Sequence, residues 1–485
     1  MVNPDELRSL IDAHREWLIV RDSGRSFALL ASEIEIGAGD RGRTIFGFLD
    51  ETGFHSWRLN AAEVAGAELS IDVAGAFARN QEKFRLVPRS SLADLSAEIE
   101  LARLHKANEI AAMIERSFAV KIVRVELNVE NGRLAQIVFE KGKEQTVVLA
   151  DVTGSLTPEV ILTTAILWLD KLGLRRKNPI NDLLIAGESR QAKNLQKLHA
   201  LLSDRWKAKI TIAEISRKTD PPTIIELKKR RIGELWREKA KKLNIPREPR
   251  PSDTARRIID LSPAKIDVVF SKQGETLRFF GLPFARVRSV LGEERAWCGT
   301  GKQRRLLADD NWNELVELVR DLERYRNPAS ENHRHELYRS SPESWIESIL
   351  RRDIRLLDAN LILSPIYHQF RSSNDKIDLL ALRRDGRLVI VELKAHPDRE
   401  MVFQAADYWR KIELQRRRGV LAEANLFDGR EIADKPALIY LAAPALGFHR
   451  DFEFFARTLS PEIELWRFEL HQEWRRSVKV IGRSG

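Results

Sequence analysis

Two short segments, Lys376–Arg383 and Arg387–Lys394, constrain this chain more than any other part of it. Both read as β-strands, and strand side chains alternate between two faces. In Asp378-Leu-Leu-Ala-Leu and Ile390-Val-Glu392-Leu-Lys394 the even-numbered residues share one face. Leu379, Val389, Val391 and Leu393 make the other face apolar, so the strand pair is expected to be central in its sheet. Whether the two charged sets meet depends on the turn. A two-residue turn on Asp385-Gly386 pairs Arg384 with Arg387 and puts Glu392 on the face opposite to Asp378. A three-residue loop, Arg384 to Gly386 with Gly386 left-handed, pairs Arg383 with Arg387 and sets Asp378 directly across from Glu392. The three-residue loop is the expectation.

Two carboxylates buried side by side are costly unless a cation neutralises them. A hard divalent ion with oxygen ligands does so, and Mg²⁺ keeps positions open for water and phosphate. Mn²⁺ is expected to substitute. Lys394 cannot ligate a metal, but its amine can orient or activate an attacking water or stabilise charge on a phosphate.

The flanking residues read as helices. Ser341-Pro342 is an N-cap followed by proline at the first helical position. Trp345, Ile346, Ile349 and Leu350 then form one face, with Glu343 and Glu347 at its margin. An extended stretch, Leu361–Phe370, follows. A last helix starting near Arg399 carries Gln404, Tyr408 and Trp409.

Ile377-Asp378, Glu392-Leu393-Lys394, the upstream helical Glu347 and the downstream Gln404-x-x-x-Tyr408 together resemble the PD-(D/E)xK nuclease superfamily. The Gln-x-x-x-Tyr element is similar to the helix that closes the site in RecB-like nucleases. Residues 341–410 resemble the C-terminal nuclease domain of archaeal-type mismatch (NucS-like) endonucleases, through Glu347-Ser, Lys376-Ile-Asp-Leu-Leu, Gly386-Arg-Leu-Val-Ile-Val-Glu-Leu-Lys and Gln404-Ala-Ala-Asp-Tyr-Trp. The resemblance implies metal ligation by Asp378 and Glu392, with the Leu393 carbonyl and Glu347 completing the shell. It also implies Lys394 near the nucleophile, and Gln404 and Tyr408 beside the metal or the DNA backbone. Ile377 replaces the motif's proline, and the family's usual N-terminal domain is not recognisable in residues 1–330. Mismatch specificity therefore does not carry over.

A chain of 485 residues exceeds one ordinary core. The fold class expected is α/β multidomain, with a C-terminal restriction-endonuclease-like α-β-β-β-α core at 331–485. Ahead of it are expected a β-rich domain at 1–90, an α+β domain at 91–216, a basic helix and Pro-rich linker at 217–262, and a small α+β domain at 263–330. The hairpin–strand–helix order within 91–216 resembles that of the nuclease segment. It reads either as a decayed second copy, since Asp151 lacks a following Glu-x-Lys, or as an ordinary α+β domain.

The net charge of +10 suits a polyanionic partner. Fourteen Lys/Arg against six Asp/Glu between Arg217 and Arg257 concentrate that excess. Lys228, Lys229, Arg230 and Arg231 are the candidate nucleic-acid contacts, on a helix expected over Pro222–Leu243. Glu226-Leu-Lys228 repeats the Glu-x-Lys letters and is assigned to that helix surface. His333 and His335 lie in a polar linker without a metal scaffold. Arg286, Arg288, Lys302, Arg304 and Arg305 read equally as DNA contacts or as solvated charges. One cysteine, Cys298, excludes an internal disulfide framework. With no membrane span or signal-peptide pattern, the expected location is cytoplasmic.

The function expected is a Mg²⁺-dependent endonuclease acting on DNA, in repair or anti-phage defence, with a homodimer as one arrangement open to it. The alternative is a nucleic-acid-binding or scaffold protein with an inactive nuclease fold.

Overall fold

The computed structural model describes the chain except residues 1–3, 22–25, 39–43, 51–52, 75–80, 90–91, 143, 175–178, 241–249, 272–273, 291–292, 302–303 and 365–377. It is a mixed α/β protein with four sheets. The chain divides into two compact units, residues 1–196 with 208–229, and residues 197–207 with 230–485.

The first unit opens with helix α1 (Pro4–Asp12) and a seven-stranded antiparallel sheet. Its strands are β1 (Glu16–Arg21), β2 (Ser26–Leu30), β3 (Ile34–Ala38), β4 (Thr44–Asp50), β5 (Gly53–Ala65), β6 (Glu68–Ala74) and β7 (Gln81–Pro88). They lie in the order β2-β1-β7-β6-β5-β4-β3 around Trp17, Phe46, Phe48 and Phe84.

Helix α2 (Leu92–Phe118) leads into the second sheet: β8 (Lys121–Leu127), β9 (Leu134–Lys141), β10 (Glu144–Asp151), β11 (Leu183–Glu188), β12 (Ile210–Ser216) and β13 (Thr223–Glu226). Helix α3 (Pro158–Gly173) connects β10 to β11, and α4 (Ser189–His199) with α5 (Asp204–Lys209) connects β11 to β12. Strands β8, β9 and β10 are antiparallel, β10–β11–β12 are parallel, and β13 closes the edge antiparallel.

The basic helix expected over Pro222–Leu243 does not form. Thr223–Glu226 is strand β13, paired with β12 so that Glu226 faces Ala213, and among the described residues of that span only Ile232–Leu235 is helical, as the one-turn α6. The β-branched run Thr223-Ile224-Ile225 suits a pleated edge, and the Pro221-Pro222 pair ahead of it favours extended backbone. Glu226-Leu-Lys228 therefore sits at a strand end, not on a helix surface. Residues 217–229 belong to the second sheet's unit and not to a linker.

The second unit holds two sheets. Helix α7 (Asp253–Ile259) precedes β14 (Ile266–Ser271), β15 (Gly274–Phe279), β16 (Leu282–Val290), β17 (Glu293–Cys298) and β18 (Arg305–Leu307), an antiparallel meander followed by α8 (Trp312–Tyr325). After α9 (Glu336–Arg339) and α10 (Pro342–Arg352) comes the fourth sheet: β19 (Leu361–Leu363), β20 (Leu379–Arg383), β21 (Leu388–Leu393), β22 (Leu438–Pro444), β23 (Leu465–Leu470) and β24 (Val480–Ser484). Helices α11 (Met401–Arg417) and α12 (Val420–Glu423) lie between β21 and β22, and α13 (Phe452–Ala456) lies between β22 and β23.

The fourth sheet repeats the topology of the second. Strands β19–β20–β21 are antiparallel, β21–β22–β23 parallel, and β24 closes the edge antiparallel. In both, a helix precedes the first strand and another follows the third. Each core is apolar: Trp345, Leu379, Val391, Tyr440 and Phe468 in one, Ile110, Ile137, Val148 and Ala186 in the other.

Helix α10 begins at Pro342 as the sequence suggests, but Ser341 takes a left-handed φ of 45° and its side chain makes no capping bond. Of the expected extended stretch, Leu361–Leu363 is strand β19 and Ser364 follows it; residues 365–370 and the first two residues of the Lys376–Arg383 strand lie outside the described residues.

Among the described residues, no helix is long and apolar enough to cross a membrane.

Candidate active site

The β20–β21 turn is the three-residue loop that the site requires. The Arg383 amide donates to the Arg387 carbonyl at 2.8 Å, the Gly386 amide to the Arg383 carbonyl at 2.8 Å, and Gly386 has φ 81°. The ladder pairs Leu382 with Leu388 and Leu379 with Val391. One step beyond it, Asp378 stands across from Glu392, and the Leu393 amide donates to Asp378 Oδ2 at 2.8 Å.

Glu392 is buried, and among the described residues its Oε2 has no hydrogen-bond partner. Lys394 Nζ lies 3.4 Å from Glu392 Oε1, 2.7 Å from Asp398 Oδ2, and donates to Gln404 Oε1 at 2.7 Å. Strand β21 thus supplies Glu392 and Lys394, the loop after it Asp398, and the first turn of α11 Gln404. Asp398 escaped the sequence reading; its one signal was a carboxylate four residues beyond Lys394.

Electrostatics set these groups apart. Burial first, then the Glu347 carboxylate, pushes Asp378 from 3.8 to about 7, while the Leu393 amide and Lys394 act the other way. Burial and Asp378 raise Glu392 well above the usual carboxylate range. Burial alone would lower the Lys394 ammonium, but Glu392 and Asp398 outweigh it and hold it above an ordinary lysine. The lysine stays charged, and the carboxylate pair strongly attracts a positive partner.

Glu347 reaches this neighbourhood, but in company. Its Oε1 lies 3.5 Å from Arg278 Nη1 and 3.5 Å from Arg351 Nη1, and Arg278 also bonds Asp267 at 2.6 Å. The expected fourth metal contact is thereby an ion-paired carboxylate. Glu343, its rival, is exposed and accepts a 3.4 Å bond from the Ala395 amide. Leu393 contributes its N–H; a role for its carbonyl rests on the resemblance alone. Tyr408 lies one turn beyond Gln404 on α11 and carries the Lys411 ammonium 5.6 Å from its ring centre.

Among the described residues, no group of three or more His, Cys, Asp or Glu is arranged to hold a metal. Mg²⁺ nevertheless commonly takes only one or two protein carboxylates and fills its remaining positions with water and substrate oxygens. The Asp378–Glu392 pair, with its orphaned buried oxygen, fits that smaller donor set.

Two of the four expected nucleic-acid contacts are engaged by protein groups. Lys228 and Lys229 are exposed after β13, Lys229 Nζ donating to the Ala208 carbonyl at 2.8 Å. Arg230 pairs with Glu238 at 3.0 Å, and Arg231 is exposed. His335 stacks on Tyr325 at 3.6 Å and its Nδ1 accepts from the Leu337 amide.

The second sheet offers a contrast at the matching strand end. Asp151, last in β10, accepts from the Thr153 and Gly154 amides, the Thr153 hydroxyl, the Leu156 amide and Gln191 Nε2. Leu134 stands across from it, where β20 is preceded by Asp378. That carboxylate is spent on its own loop.

Comparison of the chain with protein-family models, with curated proteins and with solved structures finds no match in any of the three.

Proposed function

We propose that residues 331–485 are a PD-(D/E)xK-type endonuclease that hydrolyses DNA phosphodiesters with Mg²⁺ or Mn²⁺. The observation that carries this reading is the buried Oε2 of Glu392 opposite Asp378, without a partner among the described residues, with the charged Lys394 beside them. The order of α10, the β19–β20–β21 meander and α11 supports it, because it matches the core that the resemblance implies.

Asp378 and Glu392 would hold the cation, which supplies a water acidified towards neutral pH and a counter-charge for the phosphate. Lys394 is too firmly protonated to serve as a base at neutral pH; it stabilises negative charge gathering on the phosphate. Asp398 and Gln404 fix its ammonium in place. The test is incubation of the purified chain with linear, supercoiled and single-stranded DNA in Mg²⁺, Mn²⁺ or EDTA, beside Lys394→Ala. Cleavage should need the metal and vanish in the variant, with folding and DNA affinity kept. A variant that cuts as fast as the wild type ends the assignment.

The ion pairing of Glu347 with Arg278 and Arg351 favours one alternative, a DNA-binding protein with an inactive nuclease fold. DNA binding without cleavage in either metal selects it.

A further inference from the structure

The third sheet has two unlike faces. Leu277, Phe279, Ala285, Val287, Ala296 and Cys298 pack into one core with residues of α7 and α8. The carboxylates on that side are occupied: Glu275 binds Ser252 and Glu294 the Thr254 amide, both at the start of α7. Strand alternation sends Arg286, Arg288, Arg295, Trp297 and Leu306 to the other face, with Glu293 at the far end of the same row, and Arg304, just ahead of β18, acts by its charge on Arg286. There Arg286 stands beside Trp297, Arg288 beside Arg295, and Trp297 beside Leu306.

This face is cationic and partly apolar at once. Arg295 and Arg304 are exposed, Leu306 is 51% exposed, and Arg286, Arg288 and Trp297 are half-buried. Arg286 has its proton affinity lowered, first by burial and then by Arg288 and Arg304, so the guanidiniums crowd one another. Arg288 lies 6.0 Å from the Trp297 ring centre. Like charges held together around an aromatic ring cost stability in the free protein, and a polyanion relieves that cost.

The row leads to the carboxylate site. Arg278 shares this face, alternating with the core-facing Leu277 and Phe279, and it is two residues along β15 from Thr276, the cross-strand neighbour of Arg286. Its guanidinium reaches Glu347, whose charge in turn acts on Asp378. We propose that this face of β15–β18 binds an unpaired DNA strand, its arginines on the phosphates and Trp297 with Leu306 against the bases. Guanidinium forks match phosphate oxygens, and exposed rings stack on bases only where the strand is unpaired. That the strand is then cut rests on the nuclease reading; that it binds does not.

The test is anisotropy of a labelled oligonucleotide with the full chain in EDTA, single-stranded against duplex. The double variant Arg295→Glu with Arg304→Glu should weaken single-strand binding at least about tenfold. It should also lower the slope of log affinity on log salt by about 1.4, from ~0.7 per lost phosphate contact. Arg295→Lys with Arg304→Lys should bind nearly as wild type, and Trp297→Leu should lose roughly tenfold on the single strand while barely changing the duplex. Unchanged binding by the double Glu variant, or a preference for duplex, overturns the proposal. Lys394→Ala, which should bind but not cut, reports on the nuclease reading separately.

Discussion

The Asp378 carboxylate accepts its hydrogen bond from the amide of Leu393, the residue between Glu392 and Lys394. One strand's carboxylate oxygen is thus tied to the neighbouring strand at the point where that strand presents its own acid and its cation. A slip of one residue in the hairpin would break the tie and send Glu392 to the opposite face.

The first prediction concerns pH. Asp378 sits near 7 in the folded chain against an ordinary 3.8, so its proton favours the fold. That contribution is complete below 3.8 and is lost as the pH rises through about 7. Asp378→Asn removes the loss. In calorimetry without metal, the wild type should lose Tm relative to the variant between about pH 4 and 7. Mg²⁺ should restore the wild type and leave the variant unmoved; parallel pH profiles would contradict the raised acid.

Gln404→Leu leaves Lys394 with Asp398 and Glu392 but without its amide acceptor. A hydrogen bond to a charged group contributes about 1.5–3 kcal/mol. Turnover should fall roughly ten- to hundredfold with little change in DNA affinity, measured as kcat against KM. A loss confined to KM would place Gln404 in substrate binding instead.

Gly386→Ala tests the turn. The position has φ 81°, and an added Cβ would lie 3.0 Å from the Glu431 carbonyl and 3.2 Å from the Ala433 amide. Left-handed strain of about 1–2 kcal/mol plus that crowding should lower thermal stability by several degrees. An unchanged unfolding curve would mean that the hairpin tolerates a different turn.

The second Glu-x-Lys should be silent. Glu226→Gln with Lys228→Ala alters two exposed side chains at the end of an edge strand. Cleavage rate should match the wild type within about twofold, since surface changes of this kind cost under ~0.5 kcal/mol. A dead variant would move the active site to the second sheet.

The hairpin was legible because period-two alternation and a single Asp-Gly pair decide its register locally. Helix α10 was legible for the same kind of reason, with Pro342 at its first position and Trp345, Ile346 and Leu350 on its buried face. The length of β5 is not legible locally, because Asn60-Ala61-Ala62-Glu63 is a run poor in strand formers and holds a register shift, between Leu59 and Ala61. Strand β13 was misread because Glu226, Lys229, Arg230 and Glu234 mimic helical charge spacing, while the pairing that decides it lies with distant β12. The partners of Glu347 were unreadable too. Arg278 is 69 positions upstream, and its only local sign is one charge between Leu277 and Phe279.

Arg326 is fully buried and donates to the carbonyls of Phe279, Phe280, Leu337, Ser340 and Ser341, with its guanidinium 4.6 Å from the Trp345 ring centre. Gly281 meets α10 so closely that a Cβ there would stand 1.9 Å from the Ser344 carbonyl. The boundary near residue 330, placed where the motif-bearing segment begins, is therefore not a seam along which the chain comes apart. A fragment starting there would leave behind the cation that five backbone oxygens depend on. Anyone seeking the smallest portable catalytic piece, in the laboratory or in the history of the gene, should expect the third and fourth sheets to travel together.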